Sequence, residues 1–169
     1  MSAWPAFVYV QLIRGVPLLV FLYWVYFGLA IVTGIAFTSD QAAIIALTVT
    51  GSAYTAETFR AALSSVERGQ AEVATALGFS RRASFRHIVF PQALRIAVPP
   101  LGNTFIGLLK GATLISIIGV TDMVYEANQI NLDYFTPFEP FVAVAAILVT
   151  LVFAFAAVST LLERYLRLP

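Results

Sequence analysis

Four long stretches of this chain carry almost no charge, and that pattern limits its fold more than any other feature. Residues 15–39 hold no charged side chain in 25 positions, residues 41–56 none in 16 and residues 140–162 none in 23. Residues 96–121 hold one, Lys110, in 26. A bilayer core takes about 20 residues of helix. Four transmembrane helices therefore fit, at roughly 16–36, 41–62, 100–120 and 141–162, the second extending past Glu57 and Arg60. Helix is expected because hydrocarbon offers the backbone no hydrogen-bond partners. Runs such as AAIIAL do not alternate as a barrel strand would. Composition agrees: 60% of residues are hydrophobic and 11% charged, about half the charge of a soluble domain. The expected fold is all-α and polytopic, one transmembrane domain over 1–169.

Charge between the stretches sets an orientation. Arg14, then Arg68, Arg81, Arg82, Arg86 and Arg95, then Arg164 and Arg167 fall on one side of a four-span chain. The opposite loops carry Asp40, Asp122, Glu126, Asp133 and Glu139 and no Lys or Arg. The positive-inside rule places both termini and the 63–98 loop in the cytoplasm. The first residues, MSAWPAFVYVQLIRG, lack the basic leader and cleavage site of a secretory signal. A net charge of +1 argues against a nucleic-acid partner.

The cytoplasmic loop is the most informative segment. Residues 66–77 read as a helix, with Ala71, Ala74 and Gly78 on one face at i, i+3 and i+7. That face is nearly flat and suits close approach by a partner backbone. Gly78 can end the helix in a left-handed conformation, with Phe79 packing back, and Ser80 can cap a second short helix. Phe85, Ile88 and Val89 give the second helix an apolar side; Arg81, Arg82 and Arg86 give it a basic one. Pro91 is expected to stop it. A solvated connector is the plain alternative to a docking knob for a cytoplasmic partner.

The same loop resembles the EAA signature of ABC importer permeases. Glu72-Val73-Ala74 is followed by three residues, Gly78, nine residues and Ile88-Val89-Phe90-Pro91. Val73 and Phe90 replace Ala and Leu. More of the chain is similar to the polar amino-acid (histidine/glutamine-type) permeases: RGVPLL at 14–19, AYTAETFR at 53–60, GQAEVATALG at 69–78, FPQALRIAVPPLGN at 90–103 and LLKGATLISIIGV at 108–120. The resemblance implies the type I importer permease fold. It makes the loop a coupling helix seated in a cleft of a separate ATP-binding subunit, with Glu72, Ala74, Gly78, Arg81, Phe85, Ile88 and Pro91 as the coupling residues. It also implies a second permease subunit, identical or homologous, an extracytoplasmic solute-binding protein and a small polar solute, an amino acid or a relative. Family members usually have five spans, and the one not found here would precede Trp4. Gly111 stands where the family commonly has Asp. A transport-inactive remnant, or a channel or enzyme working without ATP, stays open at this point.

Inside the spans, Lys110 lies about midway along its helix. An intramembrane cation normally faces protein or water; it either pairs structurally or lines the solute path. Asn103, Thr104 and Thr113 share that reading, with hydrogen bonding between helices as the alternative. Glu57 and Arg60, three apart, are expected to form a local pair. The sequence holds no phosphate-cradling glycine loop. His87 is its one histidine and it has no cysteine, so no metal site, cofactor or catalytic constellation is expected, and ATP hydrolysis is assigned to a partner.

Overall fold

The computed structural model describes residues 4–166; Arg167 of the basic tail lies outside them. Seven helical segments follow one another, and the described residues contain no strand. They are α1 (Trp4–Gly15), α2 (Leu18–Thr33), α3 (Ser39–Ser65), α4 (Arg68–Ala76), α5 (Arg81–Ile118), α6 (Met123–Tyr134) and α7 (Phe138–Leu166). The segments expected at 16–36, 41–62, 100–120 and 141–162 fall on α2, α3, the second half of α5 and α7. Helices α1 and α6 were not expected from spacing.

Length and apolar composition qualify α5 and α7 as membrane spans, and α1 with α2 as a span broken by a 102° bend. The bend sits at Gly15-Val16-Pro17. Pro17 is held extended (φ −57°, ψ 137°) and starts α2, its carbonyl accepting from the Phe21 N–H at 3.0 Å. Few residues in the most apolar stretches of α5 and α7 are fully buried by the chain itself, so much of that surface is left to lipid and partners. Helix α3 is nearly as long as α7, at 27 residues, but its hydroxyl-rich middle makes it less apolar. It packs against α1, α2 and α5, so protein rather than lipid surrounds much of it.

The core lies where α2 meets α3. Leu22 and Val25 are each 1% exposed and pack with Ala42, Ala43 and Ala46 of α3 and Ile118 at the end of α5. The three alanines are the reason the helices approach closely: small residues let backbones meet where lipid supplies no hydrophobic drive. Thr38 fixes the start of α3 through a capping box with Gln41.

Pro91 does not end the second short helix. The chain stays helical from Arg81 to Ile118, so the loop helix and the third span are one element. The reason lies in the turn before the proline. Residues Phe85–Val89 form a widened π turn in which the Phe90 N–H bonds to the Phe85 carbonyl, five residues back. In a regular α-turn the proline ring would press on a carbonyl four residues earlier and leave it without a donor. The extra residue in the turn shifts the bonding frame so that the missing N–H falls at the start of the following α segment, where it is tolerated.

Candidate functional site

Two regions carry chemistry. The first is the helical pair made by α4 and the first turns of α5. Helix α4 ends in a Schellman turn: Gly78 sits at φ +82°, its N–H bonds to the Thr75 carbonyl, and the Phe79 N–H bonds to the Ala74 carbonyl, both at 3.0 Å. The Ser80 hydroxyl then accepts the Ala83 N–H at 3.3 Å and opens α5. The chain thus reverses within four residues, and α4 packs on the beginning of α5.

That packing changes the role of the small-residue face. Ala74 is fully buried and Ser84, on the facing helix, is 4% exposed. Of the flat face expected to lie open to a partner, Ala74 is taken up by the chain's own second helix, whereas Ala71 is half-buried and Gly78 exposed. Beside exposed Gln70, Glu72 and Thr75, α4 leaves an apolar strip open: Val73 is 61% and Leu77, just past its end, 71% exposed, with Phe79 at 41%. Their i, i+4 spacing on a short helix was the sequence signal for this surface. Glu72, Arg81 and Phe85 come together around a groove of about 340 Å³, also lined by Thr75 and Val89. Ile88 is half-buried, and Gly78 and Pro91 are exposed.

The second region is a cavity of about 610 Å³ between the α1–α2 elbow, α3 and α5. Asn103 lines it, with Thr104, Thr50, Tyr54 and Arg14. Lys110 and Thr113 do not. Lys110 is exposed, and the Thr113 hydroxyl donates to the Lys110 carbonyl at 2.7 Å. Of the four path candidates the structure therefore brings Asn103 and Thr104 to this cavity.

A charged cluster adjoins it through Arg14. Arg60 forms two hydrogen bonds to the Glu57 carboxylate, Nε to Oε2 at 2.8 Å and Nη2 to Oε1 at 2.6 Å; this is the pair its spacing predicts. Arg14 reaches the same carboxylate from α1 at 3.6 Å, and its guanidinium lies 5.3 Å from the centre of the Tyr54 ring. Sequence spacing marks Arg14 only as the start of the first span; its cross-helix position depends on the 102° elbow, which spacing does not reveal.

A multi-pass α-helical membrane protein in which a helix beside an internal cavity continues outward into a folded helical pair has the build of a transporter's membrane component. The sequence profile described as binding-protein-dependent transport system inner membrane component matches residues 3–168, and the chain belongs to that family. The chain is 43% identical over 136 residues to the Bacillus subtilis protein YckA, which carries a provisional amino-acid ABC transporter permease name; the match covers 79% of this chain and 60% of YckA. It is 38% identical over 168 residues to HisQ of Salmonella typhimurium, the histidine/lysine/arginine/ornithine transport system permease protein, covering 92% and 73%. Its fold superposes on a chain from the crystal structure of an amino acid ABC transporter with histidines, with a TM-score of 0.91 and 36% identity, over 98% of this chain and 78% of that one. The chain thus spans about three fifths to three quarters of these relatives' lengths.

Proposed function

We propose that this chain is the membrane-embedded permease subunit of an ATP-driven importer, translocating a polar amino acid or a related solute. Hydrolysis belongs to a separate cytoplasmic ATP-binding subunit. A second permease subunit completes the pathway, and an extracytoplasmic binding protein delivers the solute. The observation that carries the reading is the continuity of α5 with the loop, in a chain matched by the family over residues 3–168. A displacement of the loop by the ATPase is passed along one continuous helix, through Pro99 and Pro100, to the cavity wall at Asn103 and Thr104.

In this reading both termini and the 63–98 loop are cytoplasmic, which the one-sided distribution of Arg supports. The ATPase contacts the loop around Glu72, Gly78, Arg81, Phe85, Ile88 and Pro91, with Ala74 holding the two helices together from inside. Asn103 lines the solute path; Lys110 and Thr113, outside the cavity of a single chain, are assigned to the surface where a second permease subunit completes the path. The energetic link is a difference in the ATPase's affinity for two loop positions, as any ligand-driven shift requires.

The test is uptake in proteoliposomes holding the permease, its ATPase and the binding protein. Glu72→Ala and Gly78→Ala are expected to keep ATP hydrolysis while uptake falls. Full uptake by both variants would sink the mechanism.

A further inference from the structure

The Glu57 cluster is unbalanced. Two guanidinium groups share one carboxylate, and they do not share it equally. Arg60 takes both oxygens, at 2.8 and 2.6 Å. Arg14 stands 3.6 Å away, beyond hydrogen-bond reach. The buried Nε of Arg14 has no hydrogen-bond partner among the described residues. A guanidinium carries five N–H donors in a planar fork, and an unpartnered buried donor costs free energy. Nε is too enclosed to meet a ligand, but the Arg14 side chain is 33% exposed and Glu57 meets its charge only at 3.6 Å, which leaves the outer guanidinium N–H groups for a further anion.

Its position says which anion would meet it. Arg14 and Tyr54 line the 610 Å³ cavity and also a second cavity of about 350 Å³ that extends past Ala62 and Ser65 toward the 63–98 loop. They are the two residues common to both linings. Stacking over the Tyr54 ring at 5.3 Å holds the guanidinium plane in place. Asn103 and Thr104 supply neutral polar groups to the larger cavity, whose volume is in the range of small-molecule sites.

We infer that Arg14 is a carboxylate-binding subsite of the solute path, common to both cavities, gripping the α-carboxylate of an amino acid as it passes from the larger cavity toward the cytoplasmic one. Glu57 and Arg60 are its positioning pair: Arg60 occupies the carboxylate that would otherwise neutralise Arg14. A planar fork matches a carboxylate with two parallel hydrogen bonds, which a lysine cannot reproduce. The inference rests on the permease reading above.

The experiment separates the two. The permease–ATPase complex, purified without binding protein, is titrated with L-glutamine, L-histidine and L-arginine and with their primary amides, which lack the carboxylate; saturation-transfer NMR reads binding. Uptake of the same three amino acids by the complete system is measured in parallel. A preference of about tenfold for an amino acid over its amide is expected, the scale of one charge-assisted hydrogen bond. Arg14→Gln is expected to abolish that preference and Arg14→Lys to reduce it. An assembled Arg14→Gln complex with the preference intact overturns the subsite, as does a wild-type complex that imports an amino acid yet shows no preference. If Arg14→Gln does not assemble with the ATPase, Arg14→Lys decides: a reduced preference supports the subsite and an unchanged one overturns it. Absence of uptake of all three by wild type would instead bring down the permease reading, and the subsite with it.

Discussion

Gly102 of α5 faces Ser159 of α7 so closely that a Cβ built on the glycine would lie 2.8 Å from the serine Oγ and 3.2 Å from its Cβ. The hydroxyl can rotate away, but the serine Cβ is fixed to the α7 backbone. The two helices are therefore as near as they are because position 102 has no side chain. Phe105 and Phe155, from the same two helices, stack beside this contact with ring centroids 4.2 Å apart. Together they hold α7, which the chain otherwise leaves largely exposed.

Enlarging Gly102 should push α7 off α5. Overpacking costs about 1–3 kcal/mol, while Gly→Ala within a helix gains about 1 kcal/mol of propensity. Gly102→Ala is thus expected near neutral to mildly destabilising, and Gly102→Val clearly destabilising. Ser159→Gly removes the opposing atoms and should rescue Gly102→Val, with a coupling above about 0.5 kcal/mol in a double-mutant cycle. Thermal unfolding in lipid nanodiscs measures it; additive effects would show that the helices do not constrain each other here.

Removing the Thr38 cap should loosen the start of α3. The Thr38 hydroxyl accepts the Gln41 N–H at 3.3 Å, and the Gln41 side-chain oxygen accepts the Thr38 N–H at 3.1 Å. Loss of such a cap costs about 1 kcal/mol. Thr38→Ala is expected to lower stability by that amount and to speed hydrogen exchange at residues 39–42, while Thr38→Asn stays close to wild type. Unchanged exchange in the alanine variant would mean the cap is idle.

Gly78→Ala should strain the turn between α4 and α5. The position lies at φ +82°, where a Cβ meets the following carbonyl at a cost of about 1–2 kcal/mol. The surroundings are open, with nothing within 4 Å of a Cβ, so the whole penalty is conformational. Gly78→Asn, which tolerates this region better, should fall between glycine and alanine in thermal stability. Equal melting of all three would show that the left-handed turn is not retained.

What the sequence made legible follows from which forces are local. Charge-free runs fall on α2, α3, the second half of α5 and α7 as helices, although α3 is not among those apolar enough to span by composition. The Gly78 turn, the Ser80 cap and the Glu57–Arg60 pair were legible too, since each depends on residues no more than five apart. Helices α1 and α6 escaped notice: each is 12 residues long, too short for the span pattern. The π turn before Pro91 was hidden as well, because the proline's local rule is overridden by a bonding shift that no propensity reports. At the candidate site, spacing found Asn103 and Thr104. It gave no access to Arg14, whose neighbours Tyr54 and Glu57 lie some 40 positions along the chain.

The last prediction separates inside from outside in the loop. Ala74 is fully buried, whereas Val73 and Leu77 are 61% and 71% exposed on the same helix. A large side chain at position 74 has no room between α4 and α5, so Ala74→Leu should separate the pair at a cost of about 1–3 kcal/mol, visible as earlier thermal unfolding and faster proteolysis near residues 68–85. Leu77→Ser removes apolar surface only where a partner would cover it. Burying a leucine contributes about 1.5–3 kcal/mol, so ATPase binding should weaken roughly tenfold or more while the isolated permease melts as before. Val73→Ser should act in the same direction with a smaller effect. Co-purification and calorimetric titration with the ATPase measure the binding, and a nanodisc melt measures the fold. Unchanged ATPase affinity in both serine variants would place the contact on another face of the pair, leaving the groove formed by Glu72, Arg81 and Phe85 as the surface to test next.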